Sequence, residues 1–415
     1  MDVQTDRERI RMRGKSRRYL LLRLRAPESA HASKRASVNV AIVLDRSGSM
    51  DGTKLQLAKE ATRKALGLLG RQDRFSLVVY DEQIDVLVES TPASPESLDL
   101  ALRKLDAIEA RGSTDLGTGW LRGCEQVAAH LADEAVGKCL LLTDGLANVG
   151  ITDHDELARH AEQLRARHVV TSTFGIGADF DERLLAAMAS AGGGHFYYIQ
   201  TAAQISDFLM SELGETLEIV ARDVRLDLRP SDPVSLRLLS EFRSEPQGTG
   251  LACFLPDMIA RQELSLVVEA RFPQGREGDQ VRIECTVHDR EQKLEGEPIL
   301  MTWTFADDTT NDRQPRNLVV DRAVARLYAA IAQRDAVEAN RRGNYTAARS
   351  ILEKIAERIE GYAGDDPELR QIARGPRELV DEFAHAMDSA ALKRRHFASY
   401  AVRSSREITG KAQKH

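Results

Sequence analysis

Between Val38 and Leu217 short apolar runs alternate with longer stretches whose apolar residues recur at helical spacing, and few architectures accept that rhythm. Strands are expected at 38–44, Phe75 to Tyr80, Ile84 to Glu89, Cys139 to Thr143, Val169 to Phe174 and Phe196 to Ile199. Helices are expected from Lys54 to Leu69, Pro95 to Leu105, Leu116 to Leu131, Asp155 to Arg167, Asp181 to Ala189 and Ala202 to Leu217. A strand followed by a helix and another strand makes a crossover, and crossovers build parallel sheets with helices on both faces. The fold class is therefore α/β, a doubly wound, mostly parallel sheet. Only the 75–89 pair, joined by Asp81-Glu82-Gln83, is short enough to close as a hairpin.

The rest of the 415 residues follows other patterns, as expected of a chain too long for one core. Residues 1–37 form a basic arm plus an apolar run, Tyr19 to Arg25, that reads as a strand, with a polar linker from Pro27 to Ser37. The α/β domain covers 38–217. Residues 220–305 carry strand patterns at Val224 to Leu228, Val234 to Leu239, Leu264 to Glu269, Val281 to Val287 and Ile299 to Thr304, with turns such as Pro246-Gln247-Gly248. They predict a small β-sandwich, and Tyr19 to Arg25 is a candidate strand of it, which would make the α/β domain an insertion. From 317 to 392 the pattern is helical, with a break at Gly343-Asn344 and a third helix over Glu368 to Leu392 interrupted at Gly375-Pro376. The helix pair has a tetratricopeptide-like spacing but cannot bury its own face, so it packs on the sandwich or offers a groove to a partner. Residues 393–415 form a basic tail.

A net charge of −6 is too small for bulk attraction to nucleic acid or membrane. The arginines and lysines of the first 18 residues and of the tail read as solvated ends, with nucleic acid a lesser expectation. The start has no apolar core or small-residue cleavage site, and no run is long enough to span a bilayer, so a cytoplasmic protein is expected. Cys124, Cys139, Cys253 and Cys285 lack CxxC spacing and read as buried thiols.

Ligands of open α/β sheets bind at the carboxyl ends of the strands, where three polar clusters fall. They are Asp45-Arg46-Ser47-Gly48-Ser49, then Gly112-Ser113-Thr114-Asp115, then Thr143-Asp144-Gly145. Oxygen donors at alternate positions of a tight turn suit a hard cation. Taken alone, Ser47 and Ser49 read instead as helix caps and Asp45 as a turn-closing residue. Enzymatic readings fail on particular positions. A phosphatase of the haloacid-dehalogenase type needs Asp where Ser47 stands, and a Walker A loop needs Gly where Thr53 stands. A serine nucleophile would need a histidine base, and the turn has no GxSxG form. His154, His160, His168 and His195 read as surface or strand-edge residues, and Asp153-His154-Asp155-Glu156 as a helix cap.

The three clusters in this order resemble the metal-ion-dependent adhesion site of von Willebrand factor type A (VWA) domains: DxSxS after the first strand, a Thr in a later loop, an Asp after the fourth strand. The matching residues are Asp45, Ser47, Ser49, Thr114 and Asp144, and Gly192-Gly193-Gly194-His195-Phe196-Tyr197 resembles bacterial members. The resemblance implies Mg²⁺, or Mn²⁺ or Ca²⁺, held by the three hydroxyls with one or both Asp acting through water. With only two anionic ligands the ion stays electrophilic, and one open position accepts an Asp or Glu of a partner protein. Arg46 and Arg111 are candidates for steering that partner, and Gly112, Gly117 and Gly119 for letting loops approach the ion. The whole chain resembles intracellular bacterial VWA proteins that add a β-sandwich and a helical segment, in the group related to inter-alpha-trypsin inhibitor heavy chains. The expectation is a non-enzymatic adaptor or assembly factor. An AAA+ ATPase partner, as in MoxR- or chelatase-like systems, and a nucleic-acid-associated or signalling assembly are the alternatives.

Overall fold

The computed structural model describes residues 1–28, 36–133, 135–294, 296–407 and 409–414. Most of the expected linker, 29–35, lies outside the described residues. The chain divides into two compact units, Ser29–Ile219 and a second one formed by Met1–Glu28 with Val220–His415.

The first unit is the α/β layer. Its sheet has six strands in the order Ile84–Pro92, Arg74–Tyr80, Val38–Asp45, Val136–Thr143, Val169–Ile176, Gly193–Ile199. All neighbours are parallel except the hairpin of Arg74–Tyr80 with Ile84–Pro92. The central strand Val38–Asp45 and its neighbour Val136–Thr143 are buried along their whole length, as strands covered by helices on both faces must be. One face carries Val38, Val40, Ile42 and Leu44 into a core with Leu55, Ala58, Leu209 and Leu213 of two flanking helices. On the other, Gly123 sits so near Val43 that a Cβ there would come within 2.2 Å of it, which lets the helix Leu116–Ala128 lie flat on the sheet. Four of its helices begin on side-chain caps, from Ser94, Asp115, Asp153 and Asp181, whose oxygens accept from backbone N–H groups. Strand order reverses between Val38–Asp45 and Val136–Thr143, so the crevice for a ligand opens where both strands end.

The second unit is a sandwich of a four-stranded and a six-stranded sheet. In the first, Ser16–Arg25 pairs along its full length with Glu263–Phe272, and Asp2–Thr5 and Ser235–Leu238 flank them. In the second, the order is Arg243–Gln247, Gly250–Phe254, Arg225–Pro230, Gln280–His288, Ile299–Ala306, Arg9–Arg11. Leu20, Leu22, Leu24, Leu266 and Val268 from one sheet meet Leu226, Leu228, Ile283 and Trp303 from the other in a single core.

Several expectations are corrected here. The basic arm is not a solvated end: Asp2–Thr5 and Arg9–Arg11 are strands, and the Arg18 guanidinium is buried against the Arg9 carbonyl and Asn311. Pro246 lies inside the strand Arg243–Gln247 rather than in the turn, which the fold accepts because that strand is at the sheet edge. The helix Pro367–Leu379 runs through Gly375-Pro376 unbroken, and the interruption comes after Leu379. The basic tail is also folded. Ser389–Arg403 is a helix whose buried Arg403 bonds Glu241, and Arg406 is buried against the Gly410 carbonyl. Leu318–Arg341 packs Val320, Val324 and Leu327 onto Leu21, Leu239 and Val267 of the sandwich. Tyr345–Ala363 and Pro367–Leu379 stack against it.

Candidate functional site

The strand Val38–Asp45 ends by delivering a fully buried carboxylate. Asp45 Oδ1 accepts from the Ser47 N–H at 2.7 Å, which closes the turn, and Oδ2 accepts from Thr143 Oγ1 at 2.6 Å, which ties it to the neighbouring strand. The turn-closing reading of Asp45 is thus correct as far as one of its oxygens goes. The capping reading of the serines is not. The next helix, Thr53–Leu66, is capped by Gly52 without any side-chain bond, and Ser47 makes no side-chain cap to the short 3₁₀ turn Gly48–Met50. Instead, Ser47 Oγ lies 3.1 Å from Ser49 Oγ, and Ser49 Oγ donates to Asp144 Oδ1 at 2.7 Å.

Asp144 follows the strand Val136–Thr143 and is fully buried. Thr143 turns the chain behind it, its hydroxyl accepting from the Gly145 N–H at 3.1 Å. Gly145 leaves the space that Thr114 needs, since a Cβ there would stand 3.0 Å from Thr114 Oγ1 and 3.6 Å from Ser49 Oγ. Thr114 is held by its backbone: its N–H donates to Asn148 Oδ1, and its carbonyl accepts from the Asn148 and Val149 N–H groups. Among the described residues its hydroxyl takes no hydrogen bond, so it stands ready for a ligand beside Ser49 and Asp144. The Gly48 N–H donates to the Gly112 carbonyl at 3.1 Å, and Gly112 takes a φ of 68° that favours glycine. The structure therefore gathers Asp45, Ser47, Ser49, Thr114 and Asp144 at one sheet edge.

Two carboxylates buried side by side are an electrostatic cost. Burial pushes the Asp45 carboxyl up to about 6, and the neighbouring Asp144 adds to the rise, against the hydrogen bonds from Thr143 and Ser47. A cation among these oxygens would relieve that cost. The donor set, carboxylate and hydroxyl oxygens without sulfur or imidazole, fits a hard ion such as Mg²⁺, Mn²⁺ or Ca²⁺.

Around this nest the sequence reading needs three changes. Arg46 is neither solvated nor free to steer a ligand. Its buried guanidinium bonds Asp81 Oδ2 at 2.9 Å and Asp85 Oδ2 at 2.5 Å, and Arg111 Nε joins the same Asp81 oxygen at 2.7 Å. Both arginines brace the loops, with the Arg111 N–H donating to the Arg46 carbonyl. Gly117 and Gly119 belong to the helix Leu116–Ala128 and clear space for Ile151 and Tyr80, not for an ion. Lys54, which no motif marks, also belongs to the surroundings of the nest: its Nζ reaches Asp144 Oδ2 at 2.5 Å and the Ser49 carbonyl at 3.3 Å. Its helical position nine residues after Asp45 was the available signal.

Among the described residues, neither the Ser47 nor the Ser49 hydroxyl bonds a histidine. His154 pairs with Asp181, and Asp153 caps its helix by accepting from the Glu156 N–H. His195 meets Glu212, which also pairs with buried Lys138 and accepts from Ser172 and Tyr197 hydroxyls, fastening the helix Ile205–Leu217 to the sheet.

Comparison with known proteins gives three kinds of match. Residues 39–211 match the family described as von Willebrand factor type A domain. Among curated proteins, the uncharacterized protein YfbK of Escherichia coli is 29% identical over 192 residues, 46% of this chain and 33% of that protein. Bovine inter-alpha-trypsin inhibitor heavy chain H1 is 28% identical over 267 residues, 63% of this chain and 29% of that one. The chain thus spans about a third of the length of these two relatives. Among solved structures, a von Willebrand factor type A protein from Catenulispora acidiphila aligns with a TM-score of 0.72 at 18% identity, covering 100% of this chain and 97% of that one. The ArnB paralog VWA2 from Sulfolobus acidocaldarius aligns with a TM-score of 0.64 at 15% identity, covering 96% and 97%. At such identities these structures speak to fold, and they share it over nearly the full length.

Proposed function

Because residues 39–211 are a von Willebrand factor type A domain, we propose that this chain is a divalent-cation-dependent protein-binding module and not an enzyme. Asp45, Ser47, Ser49, Thr114 and Asp144 hold the cation, and Mg²⁺ is the ion that hard oxygen donors and a small site favour. One observation carries the reading. Serine hydroxyls placed to cap a helix leave the backbone uncapped and turn to each other and to Asp144, beside a Thr114 hydroxyl with no protein partner among the described residues.

The bound ion supplies an electrophilic coordination position for an oxygen from outside. With two carboxylates and three neutral hydroxyls around it, the ion keeps part of its charge, and an Asp or Glu side chain of a partner protein is the ligand that charge favours. Catalysis finds no support in the same geometry, because among the described residues neither serine hydroxyl bonds a histidine or lysine, and Ser49 meets only Ser47 and the Asp144 carboxylate. Four free, buried cysteines suit a reducing compartment, which supports a cytosolic adaptor or assembly factor. An AAA+ ATPase presenting an acidic residue belongs to the partners this site would take. The nucleic-acid alternative has less to stand on, since the arginines that suggested it include buried Arg18, Arg403 and Arg406.

The test is selection of displayed random peptides on the Mg²⁺-loaded chain. Enriched sequences carrying an Asp or Glu, released by EDTA and not retained by Asp144→Ala, are the expected outcome. Enrichment without acidic residues, or retention through EDTA, would refute the reading.

A further inference from the structure

Lys54 occupies a place where a cation is otherwise disfavoured. It is in the first turn of the helix Thr53–Leu66, where the backbone dipole presents its positive end and no acidic residue compensates. Its alkyl chain lies along Gly177, whose Cβ position is 3.7 Å from Cε and Nζ and whose φ of 76° favours glycine. The ammonium, with a side chain only 31% exposed, spans Asp144 Oδ2 and the Ser49 carbonyl. Asp144 thereby divides its oxygens, Oδ2 to Lys54 and Oδ1 to the Ser49 hydroxyl inside the nest.

We infer that Lys54 is a resident counter-ion of the cation site, a positioning residue that weakens metal binding and strengthens the loaded metal's hold on a carboxylate. The inference rests on the cation reading proposed above. Two carboxylates and one ammonium leave the nest with a net charge of −1, and a divalent ion brings it to +1. Without Lys54 the same states would carry −2 and 0. The ammonium therefore opposes the first step, entry of the metal, and favours the second, capture of an anionic oxygen. It also fixes which Asp144 oxygen faces the hydroxyls, so the second effect has a geometric part as well.

The opposite signs of the two effects separate this role from plain structural support, whose loss would weaken both. Full-length wild type, Lys54→Met and Lys54→Arg would be stripped of metal and titrated with Mn²⁺, followed by electron paramagnetic resonance. Acetate would then be added to each Mn²⁺-loaded protein while water proton relaxation is recorded, since acetate displaces a metal-bound water. Lys54→Met is expected to bind Mn²⁺ roughly tenfold more tightly and acetate several-fold more weakly, the scale of one charge a few ångströms away in a partly wet site. Lys54→Arg, which keeps the charge, is expected to stay near wild type in both. Equal affinities in wild type and Lys54→Met, or losses in both steps, would overturn the role of Lys54 while leaving the cation site standing. Failure of wild type itself to bind Mn²⁺ would overturn both.

Discussion

At the scale of single residues, the charged groups nearest the nest divide into those that face the ligand and those that hold the loops. Arg46 belongs to the second group, with its guanidinium shared between Asp81 and Asp85 and its side chain only 8% exposed. Replacing it by Ala would leave buried Asp81 with Arg111 as its remaining charged partner, beside the Gln83 N–H. Arg46→Ala is expected to lower unfolding free energy by roughly 2–3 kcal/mol, measured by urea denaturation. An unchanged midpoint would show that the pair is not structural. The proposed ligand residues were legible in the sequence because DxSxS and Asp144 follow strands and Thr114 lies in the loop that leads into the helix Leu116–Ala128. Arg46 and Lys54 were not. Which carboxylate a basic side chain finds depends on loops distant in sequence: Asp81 is 35 positions from Arg46, and Asp144 is 90 from Lys54.

At the scale of elements, the α/β unit and the longer strands of the sandwich follow their hydrophobic period closely, while the short strands of the sandwich do not. Helices and buried strands announce themselves by long apolar patterns, so every expected element between Val38 and Leu217 is present with its ends moved by a few residues. Short edge strands such as Asp2–Thr5, Arg9–Arg11 and Arg243–Gln247 are polar and too brief to carry a period, and only pairing reveals them. Asp6 shows how the N-terminal segment is locked in. Its Oδ1 accepts from the Tyr19 N–H at 2.8 Å, and burial pushes its carboxyl up to about 6 from 3.8, only partly offset by that bond and by Arg18. A carboxyl whose folded value is raised favours folding below its unfolded value and loses that contribution as pH rises towards the folded one. The wild type should therefore lose stability relative to Asp6→Asn between about pH 4 and 6, a change on the order of 2–3 kcal/mol by pH 7. Denaturation curves of both proteins at pH 4 and pH 7 test this, and a constant difference across that range would contradict it.

At the scale of the whole molecule, one unit is inserted into the other: the chain leaves the sandwich unit after Glu28 and rejoins it at Val220. The sequence suggested this through one apolar run, Tyr19 to Arg25, separated from its partner Glu263–Phe272 by more than the length of a domain. What the sequence hid was how far the second unit extends, because the charge of both termini disguised buried arginines and a helix that reaches Arg403. The matched domain brings its strand ends together at the two fully buried carboxylates Asp45 and Asp144, and the proposed function depends on a cation binding there. Isothermal titration of Mg²⁺ and of Mn²⁺ into the metal-stripped full-length chain, wild type and Asp45→Ala, tests that most directly. One ion bound per wild-type chain, and binding at least about tenfold weaker in Asp45→Ala, are the expected results; equal binding by the two proteins, or none by wild type, would refute a cation site there.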